Sequence, residues 1–186
     1  MLKIADSIYT RMVSEKIRIR DVQPTEVALL QQISSKTFVE AFEHLNNPSD
    51  FKMYMDEAFT LEQIKLEYEN PNSYHFFAEY NADIIGFVKL NLQTAQTEMP
   101  FKNALEIQRI YIISKYQGLK VGKQFLQFVI DFAKQKRIDK IWLGVWDKNL
   151  RAISFYERNG FVAFSKHKFM VGTDLQFDIM MQLDLV

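Results

Sequence analysis

The chain has 186 residues, with 23 Lys plus Arg against 23 Asp plus Glu, and no cysteine. That length suits one domain with a real core, and the balanced charge argues against a nucleic-acid binder held by phosphate neutralisation. A disulfide framework, a thiolate metal site and a cysteine nucleophile are excluded. The three histidines, His44, His75 and His167, show no ligand spacing, so no metal is expected. No apolar run is long enough to span a bilayer, so no membrane contact is expected either.

Residues 1–16 read as a weakly helical, dispensable extension, with Met12 as an alternative start. They lack an apolar run ending in a small-residue cleavage site, and the expectation is a cytoplasmic protein. Residues 17–186 read as a single domain. Alternation over 16–22 predicts a first strand. Pro24 or Thr25 opens a helix whose apolar face is Val27, Leu30, Ile33, Ser34, Phe38, Ala41 and Phe42. Ser49 is expected to cap a short helix burying Phe51, Tyr54, Met55 and Phe59. Thr60 and Gln63 form a capping box for a third helix, which stops before Pro71.

Carboxylates crowd between residues 37 and 69: Glu40, Glu43, Asp50, Asp56, Glu57, Glu62, Glu67 and Glu69. They read as a solvated outer face, or as an acidic wall that attracts a cationic substrate. Residues 74–80 and 84–92 predict two strands joined by a turn at 81–83. Gly86, inside the second, marks a bulge or a close backbone contact. Residues 93–103 read as a polar loop rather than a substrate flap, because they offer no chemistry beyond Glu98.

Residues 105–113 form an apolar, β-branched run that predicts a buried strand. A polar turn follows, then Gly118 and Gly122, where a long amphipathic helix over 119–136 begins. Strand, glycine turn and helix start make an anion site, because the first helical N–H groups have no internal partner and the macrodipole adds positive charge. The spacing is neither the GxxxxGKS/T phosphate loop nor the dinucleotide GxGxxG. A strand over 138–146, a helix over 149–159 closed by Gly160, and a hairpin over 161–185 complete the chain. The order β-α-α-α-β-β-β-α-β-α-β-β predicts an α+β fold: a mixed, mostly antiparallel central sheet with helices on both faces.

Two segments together resemble the GNAT N-acetyltransferase superfamily. Gln117-Gly118-Leu119-Lys120-Val121-Gly122 is similar to its pyrophosphate loop, R/Q-x-x-G-x-G/A, with Lys120 in place of the middle glycine. Asn149 to Phe161 is similar to the signature N-x-x-A-x-x-F-Y-x-x-x-G-F. Residues 37–51, 57–64, 70–74 and 105–112 further resemble bacterial polyamine acetyltransferases of the PaiA type.

The resemblance implies acetyl-CoA as co-substrate and a primary amine as acceptor, spermidine or spermine at its finest. It implies Tyr156 as the phenol that protonates the leaving thiolate and Glu106 as the general base. A strand-end glutamate facing solvent or Arg109 stands beside that last assignment. Acetyl-CoA would be held by backbone around Ile110, Tyr111 and Ile112, by Gln117, Gly118, Leu119, Lys120, Val121, Gly122 and Lys123, and by Asn149, which also reads as a helix N-cap. A homodimer is implied too. Acetylation of a protein N-terminus or lysine, and acetyl-CoA sensing without chemistry, stay open as alternatives.

Overall fold

The computed structural model describes residues 16–185. Residues 1–15, expected to form most of the helical extension with Met12, lie outside the described residues. The elements run β1 (Arg18–Asp21), α1 (Val27–Phe42), α2 (Pro48–Ala58), α3 (Leu61–Glu69), β2 (Ser73–Tyr80), β3 (Asp83–Leu92), β4 (Ala104–Ile112), α4 (Val121–Gln135), β5 (Lys140–Trp146), α5 (Leu150–Arg158), β6 (Val162–Val171) and β7 (Asp174–Asp184). This is the order expected from the sequence, with ends shifted by a residue or two.

The strands form one sheet in the order β1-β2-β3-β4-β5-β7-β6. Every neighbouring pair is antiparallel except β4–β5. The strand period of two sends alternate residues to opposite faces, and each face builds its own core. Leu90, Leu105, Ile107, Leu143 and Val145 pack with Phe125, Val129 and Tyr156, from α4 and α5. Phe77 and Phe87 pack with Leu30, Ile33 and Ile64, from α1 and α3.

Several local expectations need correction. Asn47, not Ser49, caps α2: its Oδ1 accepts from the Ser49 and Asp50 N–H groups, and Pro48 takes the first helical position. Thr60 accepts from the Gln63 N–H as expected, but the Gln63 amide turns to Glu67 instead of closing the box. The apolar face of α1 is split: Leu30, Ile33 and Ser34 are buried, whereas Phe38, Ala41 and Phe42 line an open cavity.

The helix expected from residue 119 begins at Val121. Gly118 and Lys120 both stand in left-handed backbone, at φ 96° and 60°, so the chain cannot be helical before Val121. Gly160 closes α5 as expected. The Phe161 N–H donates to the Tyr156 carbonyl at 3.1 Å and the Gly160 N–H to that of Glu157 at 3.0 Å, a Schellman ending. Gly86 marks a close contact: a Cβ there would lie 2.5 Å from the Tyr111 carbonyl oxygen.

Candidate active site

The parallel pairing of β4 with β5 covers only Ala104–Lys140, Leu105–Ile141 and Glu106–Trp142. Beyond those pairs β5 continues against β7 as far as Trp146 and Asp178, while β4 continues against β3 as far as Ile112 and Gly86. The two central strands therefore part. Along the β5-facing edge of β4, the backbone from Ile107 onward lacks a strand partner, which is the edge that an extended ligand can join as an added strand. A bulge at Gln108, between the pairs Lys89–Arg109 and Leu90–Ile107, accompanies this parting.

A cavity of about 930 Å³ fills the opening. One end is lined by Gln117, Gly118, Lys120, Val121, Gly122 and Lys123 of the loop before α4 and its first turn, with Asn149 and Tyr156 of α5 across from them. The Val121, Gly122 and Lys123 N–H groups, in the first turn, have no intrahelical partner. A Cβ on Gly118 would meet nothing within 4 Å, and one on Gly122 only ordinary contacts, so both leave room against the backbone. The Gln117 side chain accepts from Arg151 at 2.9 Å, which ties the loop to α5. Lys120 and Lys123 are exposed at the rim. Such an arrangement can take a phosphorylated, extended ligand.

Asn149 Oδ1 caps α5 through the Ala152 N–H at 3.1 Å, the structural role expected for it, and the residue also lines the cavity. Tyr156 is buried between Phe155 and Phe161. Burial pushes its phenol well above the ordinary value, so the hydroxyl stays protonated at neutral pH and can donate a hydrogen bond. Of the expected binding residues, Ile110, Tyr111 and Ile112 line the cavity, whereas Leu119 does not; its side chain is exposed.

The other end of the cavity is different in chemistry. Phe38 and Phe42 of α1, Tyr54 of α2, Tyr111 of β4 and Trp146 of β5 line it, with ring centroids 4.8 to 6.2 Å apart. Four carboxylates also line the cavity: Glu40, Glu98, Glu106 and Asp178. Glu106 faces neither solvent nor Arg109. It is 3% exposed, and its oxygens accept from Asn91 Nδ2, the Thr97 N–H and Thr97 Oγ1. Burial raises its pKa, against the pull of those donors. The loop over 93–103 thus does more than connect, because Thr97 clasps Glu106 and Glu98 pairs with His167.

Most of the acidic segment, read as a solvated face or as an acidic wall, lies away from the cavity. Of its eight carboxylates only Glu40 reaches the cavity, where it accepts from the Ser114 N–H. Asp50 accepts from Thr173, and Asp56 and Glu69 pair with Lys52 and Lys65 on their own helices. Glu67 is sequestered with Lys89 and Arg109.

Asp178 went unrecognised in the sequence. Burial pushes its carboxyl up to about 6, with Asp147 adding to the rise and His167 opposing it. Two local signals pointed to it: an acid within an otherwise apolar run, Phe177 to Met181, and Gly144 between the buried Leu143 and Val145. Among the described residues no group of three or more His, Asp or Glu side chains is arranged to hold a metal ion, and no helix is long and apolar enough to cross a membrane.

Residues 39–161 match the model of the family described as Acetyltransferase (GNAT) family. An uncharacterised N-acetyltransferase of Lactobacillus delbrueckii subsp. lactis is 31% identical over 170 residues, covering 91% of this chain and 98% of that protein. The spermine/spermidine N(1)-acetyltransferase of Bacillus subtilis strain 168 is 26% identical over 117 residues, covering 60% of this chain and 77% of that one. In fold, the chain is similar to a PaiA N-acetyltransferase from Thermoplasma acidophilum, solved in complex with coenzyme A. The TM-score is 0.72 at 21% identity, covering 91% of this chain and 99% of that chain.

Proposed function

The chain belongs to the GNAT family of acetyltransferases, acetyl-CoA-dependent enzymes, and on that footing we propose that its acceptor is a small cationic polyamine such as spermidine or spermine. One observation carries this reading. A single cavity joins an anion-binding helix start and an unpaired strand edge to a chamber of aromatic faces and carboxylates. Aromatic rings and carboxylates together suit an alkylammonium ion, and the Bacillus subtilis relative carries the same acceptor class in its name.

Acetyl-CoA supplies an acyl group activated by a thiolate leaving group. The N–H groups around Lys120 to Lys123 receive its phosphates, with Lys120 and Lys123 adding charge at the rim. The free edge of β4 at Ile110, Tyr111 and Ile112 receives its amide-bearing arm, with Asn149 opposite. Backbone N–H groups on that edge face the charge that develops on the thioester oxygen. Tyr156 donates to the departing sulfur; its hydroxyl makes no side-chain hydrogen bond within the described residues that would hold it back. An ammonium ion near pH 7 must lose a proton before it attacks, since alkylamines have pKa values of about 10. A carboxylate lining the cavity takes it.

The test is CoA release, read with a thiol reagent, over spermidine, spermine, putrescine, lysine, an N-terminal peptide and a no-amine blank. With no cysteine in the chain, the protein adds no thiol background. Turnover confined to polyamines is the expected result. Turnover with the peptide instead assigns a protein acceptor, and acetyl-CoA binding without turnover assigns a sensor. The homodimer is proposed on the same footing: edge strand β6 leaves Val162, Phe164 and Met170 exposed, and light scattering reads the mass.

A further inference from the structure

Glu106 and Asp178 are not equivalent. Glu106 already accepts three hydrogen bonds from Asn91 and Thr97, and that clasp holds the loop over 93–103 against the sheet. Glu40 accepts from the Ser114 backbone, and Glu98 is paired with His167. Among the described residues, Asp178 is the cavity carboxylate that receives no donor.

Its position is specific. Asp178 pairs in register with Trp146 on one side and His167 on the other, and its side chain leans along β7 over Gly144. A Cβ on Gly144 would stand 2.9 Å from Asp178 Oδ2 and 3.4 Å from Asp178 Cβ. The carboxylate occupies the space that a side chain would fill. Gly144 is itself exposed to the cavity, although Leu143 and Val145 beside it are buried. It lies two residues past Trp142, the last β5 residue paired with β4. The carboxylate therefore stands at the floor of the opening, where the strands part.

We propose that Asp178 is the proton acceptor for the incoming amine, and that Glu106 is a positioning residue that fastens the 93–103 loop over the chamber. This rests on the acetyl-transfer reading above. The ammonium group has two protons that the product amide lacks. One passes to an Asp178 oxygen, and from there to water, which frees the nitrogen lone pair. The nitrogen then forms the C–N bond at the acetyl carbon; as the C–S bond breaks, Tyr156 gives its proton to the thiolate, the second nitrogen proton leaves to water, and the tyrosinate takes a proton back from water, so that one proton is released per turnover.

The charged and titratable groups facing Asp178 are His167 on β6, Asp147 after β5, Tyr54 on α2 and Tyr111 on β4. Glu98 reaches it only through His167. A base in this setting works near its own pKa, which suits a neutral-pH enzyme.

The experiment is a pH–rate profile of kcat/KM for wild type, Asp178→Asn and Glu106→Gln, with the best amine of the panel. Acetyl-CoA affinity and circular dichroism are measured alongside. Asp178→Asn is expected to lose about 10²-fold at pH 7, to lose the acid limb near pH 6, and to keep acetyl-CoA affinity. Its deficit should shrink at high pH, where free amine is supplied by solution. Glu106→Gln should keep the acid limb. An Asp178→Asn enzyme with the wild-type profile, or an acid limb that vanishes in Glu106→Gln instead, overturns the proposal alone. Absence of CoA release from wild type with every amine overturns the acetyl-transfer reading and this proposal together.

Discussion

Glu67 on α3 holds Arg109 on β4 in a forked ion pair, Nη1 to Oε2 at 2.6 Å and Nη2 to Oε1 at 3.1 Å. Lys89 Nζ on β3 joins the same carboxylate at 2.7 Å. All three side chains are at most 12% exposed. Removing one partner from such a group strands the others in a poor solvent for charge. Glu67→Gln should therefore destabilise the fold by about 3–5 kcal/mol, measured as a lower denaturant midpoint.

The same cluster sets acid stability. Burial would raise the Glu67 carboxyl, but Arg109 and Lys89 overcome it and hold the pKa below its ordinary 4.5. Its contribution is present above 4.5 and is lost as pH falls through the depressed value. His75 acts in the same direction: burial, then Lys89, pull it from 6.5 to about 3. Stability should thus decline from about pH 6.5 downward. His75→Phe should flatten the upper part of that decline in a series of melting curves.

Asp178 has the opposite sign. Its folded pKa of about 6 lies above the ordinary 3.8, so its contribution is fully present below 3.8 and is lost as pH rises through 6. Asp178→Asn should raise the melting temperature at pH 8 and leave it nearly unchanged at pH 4. At about 1.4 kcal/mol per unit, the gain is on the order of 2–3 kcal/mol. Stability gained and activity lost by one substitution is the pattern of a residue kept for chemistry.

Lys120 is a non-glycine residue at φ 60°. Left-handed backbone costs an L-residue about 1–2 kcal/mol. Lys120→Gly should be neutral or stabilising by up to about 1 kcal/mol, whereas Lys120→Val should destabilise. The acetyl-CoA dissociation constant separates charge from shape: Gly removes the amine while keeping the loop's path.

Tyr156→Phe keeps the packing against Phe155 and Phe161 and deletes only the hydroxyl. Its melting temperature should stay within a degree or two of wild type, while kcat falls about 10²-fold with acetyl-CoA affinity unchanged. A full loss of binding would assign the hydroxyl to the ground state instead.

Element order and sheet class were legible because they rest on local rules. Periodicity separates strand from helix, and Gly160 must follow α5 where a left-handed residue is needed. The spacing from Asn149 to Tyr156 places both on one short helix facing the same loop. Of the cavity's carboxylates, Glu106 was named from the family resemblance, and Asp178 was not. The crowded acids of 37–69 are consecutive in sequence but point to solvent or to partners, since helix faces are assigned by packing and not by charge. Asp178, Gly144 and Glu106 come from three strands, and nothing local says that β4 leaves β5 after Glu106. That parting is a property of the whole sheet, set by the bulge at Gln108 and by the continued pairing of β5 with β7. It leaves one half-buried aspartate, Asp178, lining the open cavity.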